Sequence, residues 1–250
     1  MTTGIRVCHL YPDQLNIYAD RGNIAVFRSR SERRGYELEV IGISVGEALA
    51  PDCDLIYLGG GQDREQALIA PDLARRGEEI SAALEDGAAL LAVCGGYQLL
   101  GRGYRDRSGV EMPGAGLLPL ETVAGDRRMI GDVSIECELD PGEKLMVVGF
   151  ENHGGRTILG PSARPLGRIL RGHGNNGRDG GEGVLGGPRA NVIGTYLHGP
   201  LLPKNAWFAD WLIAAALSLE LPLAELDDRL EDAAHAEARR AAGLRAVGAD

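Results

Sequence analysis

The stretch Ala88-Ala89-Leu90-Leu91-Ala92-Val93-Cys94-Gly95-Gly96-Tyr97-Gln98-Leu99-Leu100-Gly101 constrains the fold more than any other. Six apolar residues in a row, without polar alternation, suit a strand covered on both faces, as inside a parallel sheet. Cys94 falls where that strand must end. Gly95 and Gly96 permit a tight, strained turn, and Tyr97-Gln98-Leu99-Leu100 can begin a helix whose unpaired N–H groups face the sulfur. Strand, nucleophile and helix joined so sharply form a nucleophile elbow, which needs small residues two before and two after the nucleophile. Here these are Ala92 and Gly96. A helix N-terminus at the thiol also favours the thiolate. The competing assignment for Cys94 is an inert buried thiol.

Around this strand the chain reads as alternating elements. Arg6–Leu10 is a first strand, followed by a turn at Tyr11-Pro12-Asp13; Asn16–Asn23 leads into a helix ending at Gly35. The run Arg28, Arg30, Arg33, Arg34 reads as the solvated basic end of that helix. Glu37–Ile43 and Asp54–Leu58 are further strands, and the latter runs into Gly59-Gly60-Gly61-Gln62-Asp63. Three glycines after a strand free backbone N–H groups to face a ligand. Helical sequence follows to Asp86, with a break or restart expected at Pro71. The order predicts a mainly parallel central sheet flanked by helices, an α/β fold whose ligand crevice lies at the carboxyl ends of the strands.

Beyond Gly101 the character changes. Ile130–Leu139 and Lys144–Phe150 form an added antiparallel hairpin around Asp140-Pro141-Gly142. Residues 172–183, dense in glycine and asparagine, read as a flexible or partner-ordered loop. Asn191–Leu197 resumes strand character and delivers His198-Gly199-Pro200; Ala206–Leu217 is an apolar helix and Ala224 to Ala242 a charged one. Residues 1–220 are expected to form one domain, with 221–250 a helical extension.

A net charge of −10 argues against nonspecific nucleic-acid binding, no apolar run is long enough to span a membrane, and the start lacks a secretory signal, so a cytoplasmic protein is expected. Lys144 and Lys204 are the only lysines and neither sits in a phosphate-binding P-loop, so any ATP used is expected on another chain. Cys8, Cys53, Cys94 and Cys137 lie about forty residues apart, which disfavours a zinc knuckle or redox pair.

A catalytic cysteine needs a base, and there are five histidines. His235 lies among charges on the last helix and is expected at the surface, His173 falls in the flexible loop, and His9 lies within the first strand. His198 follows a strand at a glycine turn, as Cys94 does, and is preferred over His153.

The elbow Val93–Gly101, with Gln98 four residues after Cys94, resembles the nucleophile motif of class I glutamine amidotransferases, and Tyr196–Pro200 resembles the histidine motif of their cobyric acid synthase-like branch. Leu10–Asn23, Gly59–Asp63, Gly149–His153 and Gly174–Gly177 extend the resemblance to GatD-type glutaminase subunits of lipid II isoglutaminyl synthase. It implies that Cys94 attacks the carboxamide of L-glutamine, that the N–H groups of Gly61 and Gly95 stabilise the oxyanion, and that His198 protonates ammonia and then activates water. Gln98 shapes the elbow or touches substrate. Arg128 matches a substrate-contact position, its alternative being an exposed hairpin arginine. The implied partner is a MurT-like Mur ligase subunit that carries the lipid II acceptor, ATP and magnesium, with no cofactor on this chain. Many class I members carry Glu two residues after the histidine; here that residue is Pro200. The orienting carboxylate must come from Asp20, from Glu151, or, as preferred here, from the partner. The alternatives are amidation of a cobyrinate-like or other acid, and a noncatalytic scaffold for a ligase.

Overall fold

The computed structural model describes residues 4–17, 21–139 and 142–243. The strands are β1 (Gly4–Leu10), β2 (Glu37–Ile43), β3 (Leu55–Leu58), β4 (Ala89–Val93), β5 (Gly103–Arg105), β6 (Glu111–Pro113), β7 (Leu120–Cys137), β8 (Leu145–Leu159), β9 (Gly167–Arg171), β10 (Gly181–Glu182), β11 (Val184–Gly186) and β12 (Val192–Thr195). The helices are α1 (Arg21–Glu32), α2 (Asp63–Arg75), α3 (Gly77–Asp86), α4 (Gly95–Gln98), α5 (Ala206–Leu217) and α6 (Arg229–Ala241).

The central sheet has the order β11-β12-β4-β3-β1-β2. Its five strands from β12 to β2 run parallel, and β11 closes one edge antiparallel. Every residue of β3, β4 and β12 is buried, which is why these segments carry apolar runs rather than alternation. The parallel arrangement brings the segments after β1, β3, β4 and β12 to one edge, as the element order predicts.

The expected hairpin is present but is part of something larger. β7 and β8 pair from Leu120↔Leu159 to Cys137↔Leu145 and belong to a second, largely antiparallel sheet with β5, β6, β9 and β10. The register slips between Ala124 and Met129, so Gly125–Arg128 bulge out opposite Gly154. Arg107 Nε donates to Gly125 O and Arg156 Nη2 to Arg127 O, which staples the bulge open. The second sheet is stitched to the first beside His198. Phe150 and His198 exchange backbone hydrogen bonds of 3.0 Å each, and Asn205 brackets Val148 by bonding both its N–H and its carbonyl.

Four local expectations are corrected. The helix through Pro71 is continuous; the break comes at Arg76, where Gly77 packs so closely on Ala115 that a Cβ would lie 2.2 Å from its carbonyl oxygen. The arginines near the end of α1 are not all solvated: Arg30 is buried, and the side chain of half-buried Arg34 is covered. Arg30 grips Asp210 (2.5 and 2.6 Å) and Asp228 (2.7 and 2.9 Å), while Arg34 shares Asp210. These pairs, with Arg33 on Glu231 and on Asp227 O, clamp residues 224–231 onto α1, and α6 packs against β8. His235 is half-buried and bonds Lys204 O, which removes it from the open surface. The 172–183 loop is held within the chain: Asn175 O accepts from Thr157 N–H, and the Asn175 side chain closes on Gly183 through both of its polar atoms. Among the described residues no helix is long and apolar enough to cross a membrane.

Candidate active site

Cys94 caps β4 with φ 50° and ψ −104°, a strained conformation for a residue with a side chain, and is 7% exposed. The strain sits on the cysteine itself, and Gly95 and Gly96 serve another purpose, close approach. A Cβ on Gly95 would lie 2.6 Å from Gly61 N, and one on Gly96 would lie 2.7 Å from Leu58 Cβ. The helix that follows is a single turn, and Gly96 N–H is already bonded to Gly59 O at 3.0 Å. Fewer amides face the sulfur than a long helix would offer.

The triple glycine is a rigid strap rather than a pliant turn. Its three carbonyls are each held by a different element: Gly59 O by Gly96 N–H (3.0 Å), Gly60 O by Ile17 N–H (3.1 Å) and Gly61 O by Gln66 Nε2 (3.1 Å). No described residue takes the N–H of Gly61 or Gly95, and the steric closeness of these two glycines puts both donors beside Cys94. Their arrangement suits stabilisation of negative charge developing on an oxygen at that point.

His198 follows β12, the neighbour of β4, and Cys94 N–H bonds Thr195 O at 2.8 Å, so the two strand ends lie side by side. The imidazole is 1% exposed and its Nε2 accepts the Asn152 N–H at 3.1 Å. His153 also reaches the site. It stacks on Tyr196 with ring centroids 3.6 Å apart, and with Cys94, Gly61, Gln66, Gln98 and Arg128 it lines a cavity of about 400 Å3. Gln98 is buried against Gly155, where an added Cβ would lie 2.2 Å from its Nε2. Arg128 is exposed at the rim, where Nε and Nη2 clasp the side-chain and backbone oxygens of Asn152.

Of the two carboxylates considered for orienting the imidazole of His198, Asp20 lies outside the described residues. Glu151 is fully buried and serves other groups: it accepts the N–H groups of His173 and Gly174, bonds His173 Nδ1 at 2.7 Å, and faces His153 Nε2 at 3.6 Å. Burial alone would push the Glu151 carboxyl up, but the adjacent His153 ring and the bonds from His173 hold it below the usual range. Its placement ties His173 to the site, although the sequence pattern makes His173 a loop residue. Pro200 packs on Gly22, where an added Cβ would meet its ring at 2.8 Å.

Burial pushes His198 down to about 4, with His153, Lys204 and Arg128 adding to the effect, and burial does the same to His9. Both imidazoles are therefore neutral at pH 7. Since each binds its proton less readily folded than unfolded, it contributes stability that is complete above about pH 6.5 and declines as the pH falls to about 4, about 3 kcal/mol each. Chemical denaturation between pH 7 and 4 is expected to show this loss, and His9→Phe is expected to flatten the decline. An unchanged slope in that variant would exclude His9 as a contributor.

Three groups important to the site were not singled out in the sequence. Gln66 is buried one turn into α2 beside the triple-glycine strap. Glu182, also buried and pushed up to about 8 by burial, accepts from Thr195 Oγ1 (2.7 Å) and Tyr196 N–H (2.6 Å) and so braces the strand that carries His198. Asn175 takes the Tyr97 hydroxyl at 2.9 Å, linking the elbow to the glycine-rich loop. A period of two would have put Glu151, His153 and Gly155 on one face of β8. Gln66, Glu182 and Asn175 carry no comparable signal, because their partners are distant in the chain.

Residues 6–206 match the family model described as the CobB/CobQ-like glutamine amidotransferase domain. The chain is 40% identical over 213 residues to the subunit GatD of the glutamine-hydrolysing lipid II isoglutaminyl synthase of Staphylococcus aureus, covering 85% of this chain and 84% of that protein. Identity to the corresponding GatD subunit of Streptococcus pneumoniae is 39%, over 85% of this chain and 80% of that one. A cobyric acid synthase of Jannaschia is 32% identical over 78% of this chain but only 39% of its own length. Among solved structures, PurLQS from Thermotoga maritima superposes with TM-score 0.57 at 21% identity, over 87% of this chain and 99% of that chain, a likeness of fold.

Proposed function

The chain belongs to the CobB/CobQ-like glutamine amidotransferase family, and from that premise we propose that it is the glutamine-hydrolysing subunit of a lipid II isoglutaminyl synthase, acting in the cytoplasm. The observation that carries the reading is the strained Cys94 elbow set against the Gly61 and Gly95 amides in a cavity that fits an amino acid. The full-length similarity to two GatD subunits supports the choice of acceptor.

In this scheme Arg128 binds the α-carboxylate of L-glutamine, and Gln98 borders the reacting end. The Cys94 thiol passes its proton to neutral His198 as Sγ bonds the side-chain carbonyl carbon. The carbonyl oxygen takes the negative charge between Gly61 N–H and Gly95 N–H, where a single such donor is worth roughly 3 to 4 kcal/mol. Collapse breaks the C–N bond, His198 returns the proton to the departing ammonia, and a γ-glutamyl thioester remains. Water, deprotonated by His198, then attacks the thioester, and glutamate leaves as the thiol is restored. The ammonia passes to a MurT-like ligase subunit, which uses ATP and magnesium and amidates the α-carboxyl of D-glutamate in lipid II.

Pro200 has no acidic group and Glu151 is committed to His173, Gly174 and His153, which leaves Asp20 or the partner as the source of the carboxylate that orients His198; the partner is preferred, because that would tie ammonia release to assembly. Mixing the chain with its ligase is expected to raise glutamine hydrolysis well above that of the isolated chain; equal rates would remove the partner from the triad. A diazo-ketone analogue of glutamine is expected to label Cys94 in the complex, as read by peptide mass spectrometry. Absence of an adduct even there would leave a noncatalytic scaffold as the remaining reading.

A further inference from the structure

One buried amide beside Cys94 has no part in the scheme above. Gln66 is 2% exposed, its backbone N–H is tied to Gln62 O at 2.9 Å, and its Nε2 donates to Gly61 O at 3.1 Å. Its Oε1 is buried with no partner among the described residues. An unpartnered buried acceptor costs stability, and methionine would fill much the same volume without that cost, so packing gives no reason for glutamine here. The bond to Gly61 gives one. The Gly59 and Gly60 carbonyls are held by backbone donors, but the Gly61 carbonyl is held by this side chain. A Cβ on Gly95 would lie 2.6 Å from Gly61 N and 3.2 Å from Gln66 Nε2, so the amide, the strap and the elbow converge beside the nucleophile. Gly61 has no side chain to limit its ψ; its N–H shares a peptide plane with Gly60 O, which Ile17 N–H holds, and the bond from Gln66 to Gly61 O fixes the next plane, so that Gly61 is pinned on both sides.

We propose that Gln66 is a positioning residue that locks Gly61 in the orientation where its N–H faces the oxyanion. The proposal rests on the glutaminase reading. It explains why a polar side chain is kept at a buried position on α2, and why the triple glycine needs no further bulk to stay rigid. Catalysis by a fixed donor depends on its being aimed before the reaction begins, so loosening Gly61 weakens the transition state more than substrate binding.

The test compares wild type, Gln66→Met and Gln66→Leu in the complex with the ligase subunit. Both variants are expected to lower kcat for glutamine hydrolysis about 10-fold, less than loss of the donor itself, with KM within about twofold. Labelling of Cys94 by the diazo-ketone analogue, whose ketone oxygen takes the place of the glutamine carbonyl oxygen between the two amides while the protonated diazo carbon is alkylated and dinitrogen leaves, is expected to slow in parallel. Alkylation of Cys94 by iodoacetamide displaces iodide at a saturated carbon and needs no oxyanion donor, so its rate is expected to be unchanged. Equal slowing with both reagents, a change confined to KM, or wild-type kcat in both variants would overturn the proposal. If wild type forms no diazo-ketone adduct, the glutaminase reading fails and the proposal falls with it; a wild-type adduct with unaltered variants sinks the positioning role alone.

Discussion

Replacing Cys94 with alanine is expected to reduce glutamine hydrolysis by the complex by about 10⁴-fold or more. No other thiol can substitute. Cys8 and Cys137 are buried in the core, and Cys53 lies behind β1 with its sulfur 3.4 Å from Leu55 O. The Gly61 and Gly95 amides and Arg128 stay in place in the variant, so on the proposed mechanism glutamine binding is expected to survive while ammonia release is lost. The measurement is ammonia production by a coupled assay alongside glutamine binding by calorimetry. Residual turnover above 1% of wild type would show that the reaction does not require a thioester at this position. His198→Asn is expected to give a smaller loss, since the thiol and both amides remain and only proton transfer is removed.

The largest effect on stability is expected from Arg30→Met. Arg30 is 2% exposed and bonds two carboxylates at once, so its loss strands Asp210 and Asp228 with reduced compensation; breaking a buried pair of this kind costs about 3 to 5 kcal/mol. Arg34 still holds Asp210, which sets the lower end of that range. The Asp228 carboxyl is held below the usual carboxylate range by its bond to Arg30. A depressed carboxyl contributes stability above its unfolded pKa and loses it as the pH falls, so the difference between wild type and variant is expected to narrow below about pH 4. Denaturant titration at pH 7 and at pH 3.5 reads both effects. Adding Asp228→Asn to Arg30→Met should recover part of the loss, since an uncharged amide needs no counter-ion. Proteolysis after residue 221 should also become faster in the single variant, because the clamp joins that segment to α1.

The central sheet and the elbow were legible because their signals are local. The apolar run Ala88–Val93 suits a doubly covered strand, and Gly95-Gly96 permit the sharp turn after it, although the structure puts the strained backbone on Cys94 itself and uses the two glycines for close approach. The fate of the basic run was not legible, because the acids that bury Arg30 and Arg34 lie about 180 residues away. Nor was the order in the glycine-rich loop, whose composition speaks of flexibility while Asn175 and Glu151 fasten it from β8 and from within. His173 and His235 changed standing for the same reason.

The sequence by itself determined the mainly parallel central sheet, the cysteine at the end of β4 and the histidine at the end of β12. These follow from periodicity, from residue size and from the geometry of a parallel sheet, all of which act over a few residues. Only the tertiary structure decided which polar groups those residues would meet: Gln66 on Gly61, Glu151 on His153 and His173, Asn152 on His198, and Arg30 between two aspartates. Hydrogen bonds and ion pairs between distant segments depend on where the sheets bring the chain together, and a polar side chain carries no local mark of the partner that will satisfy it.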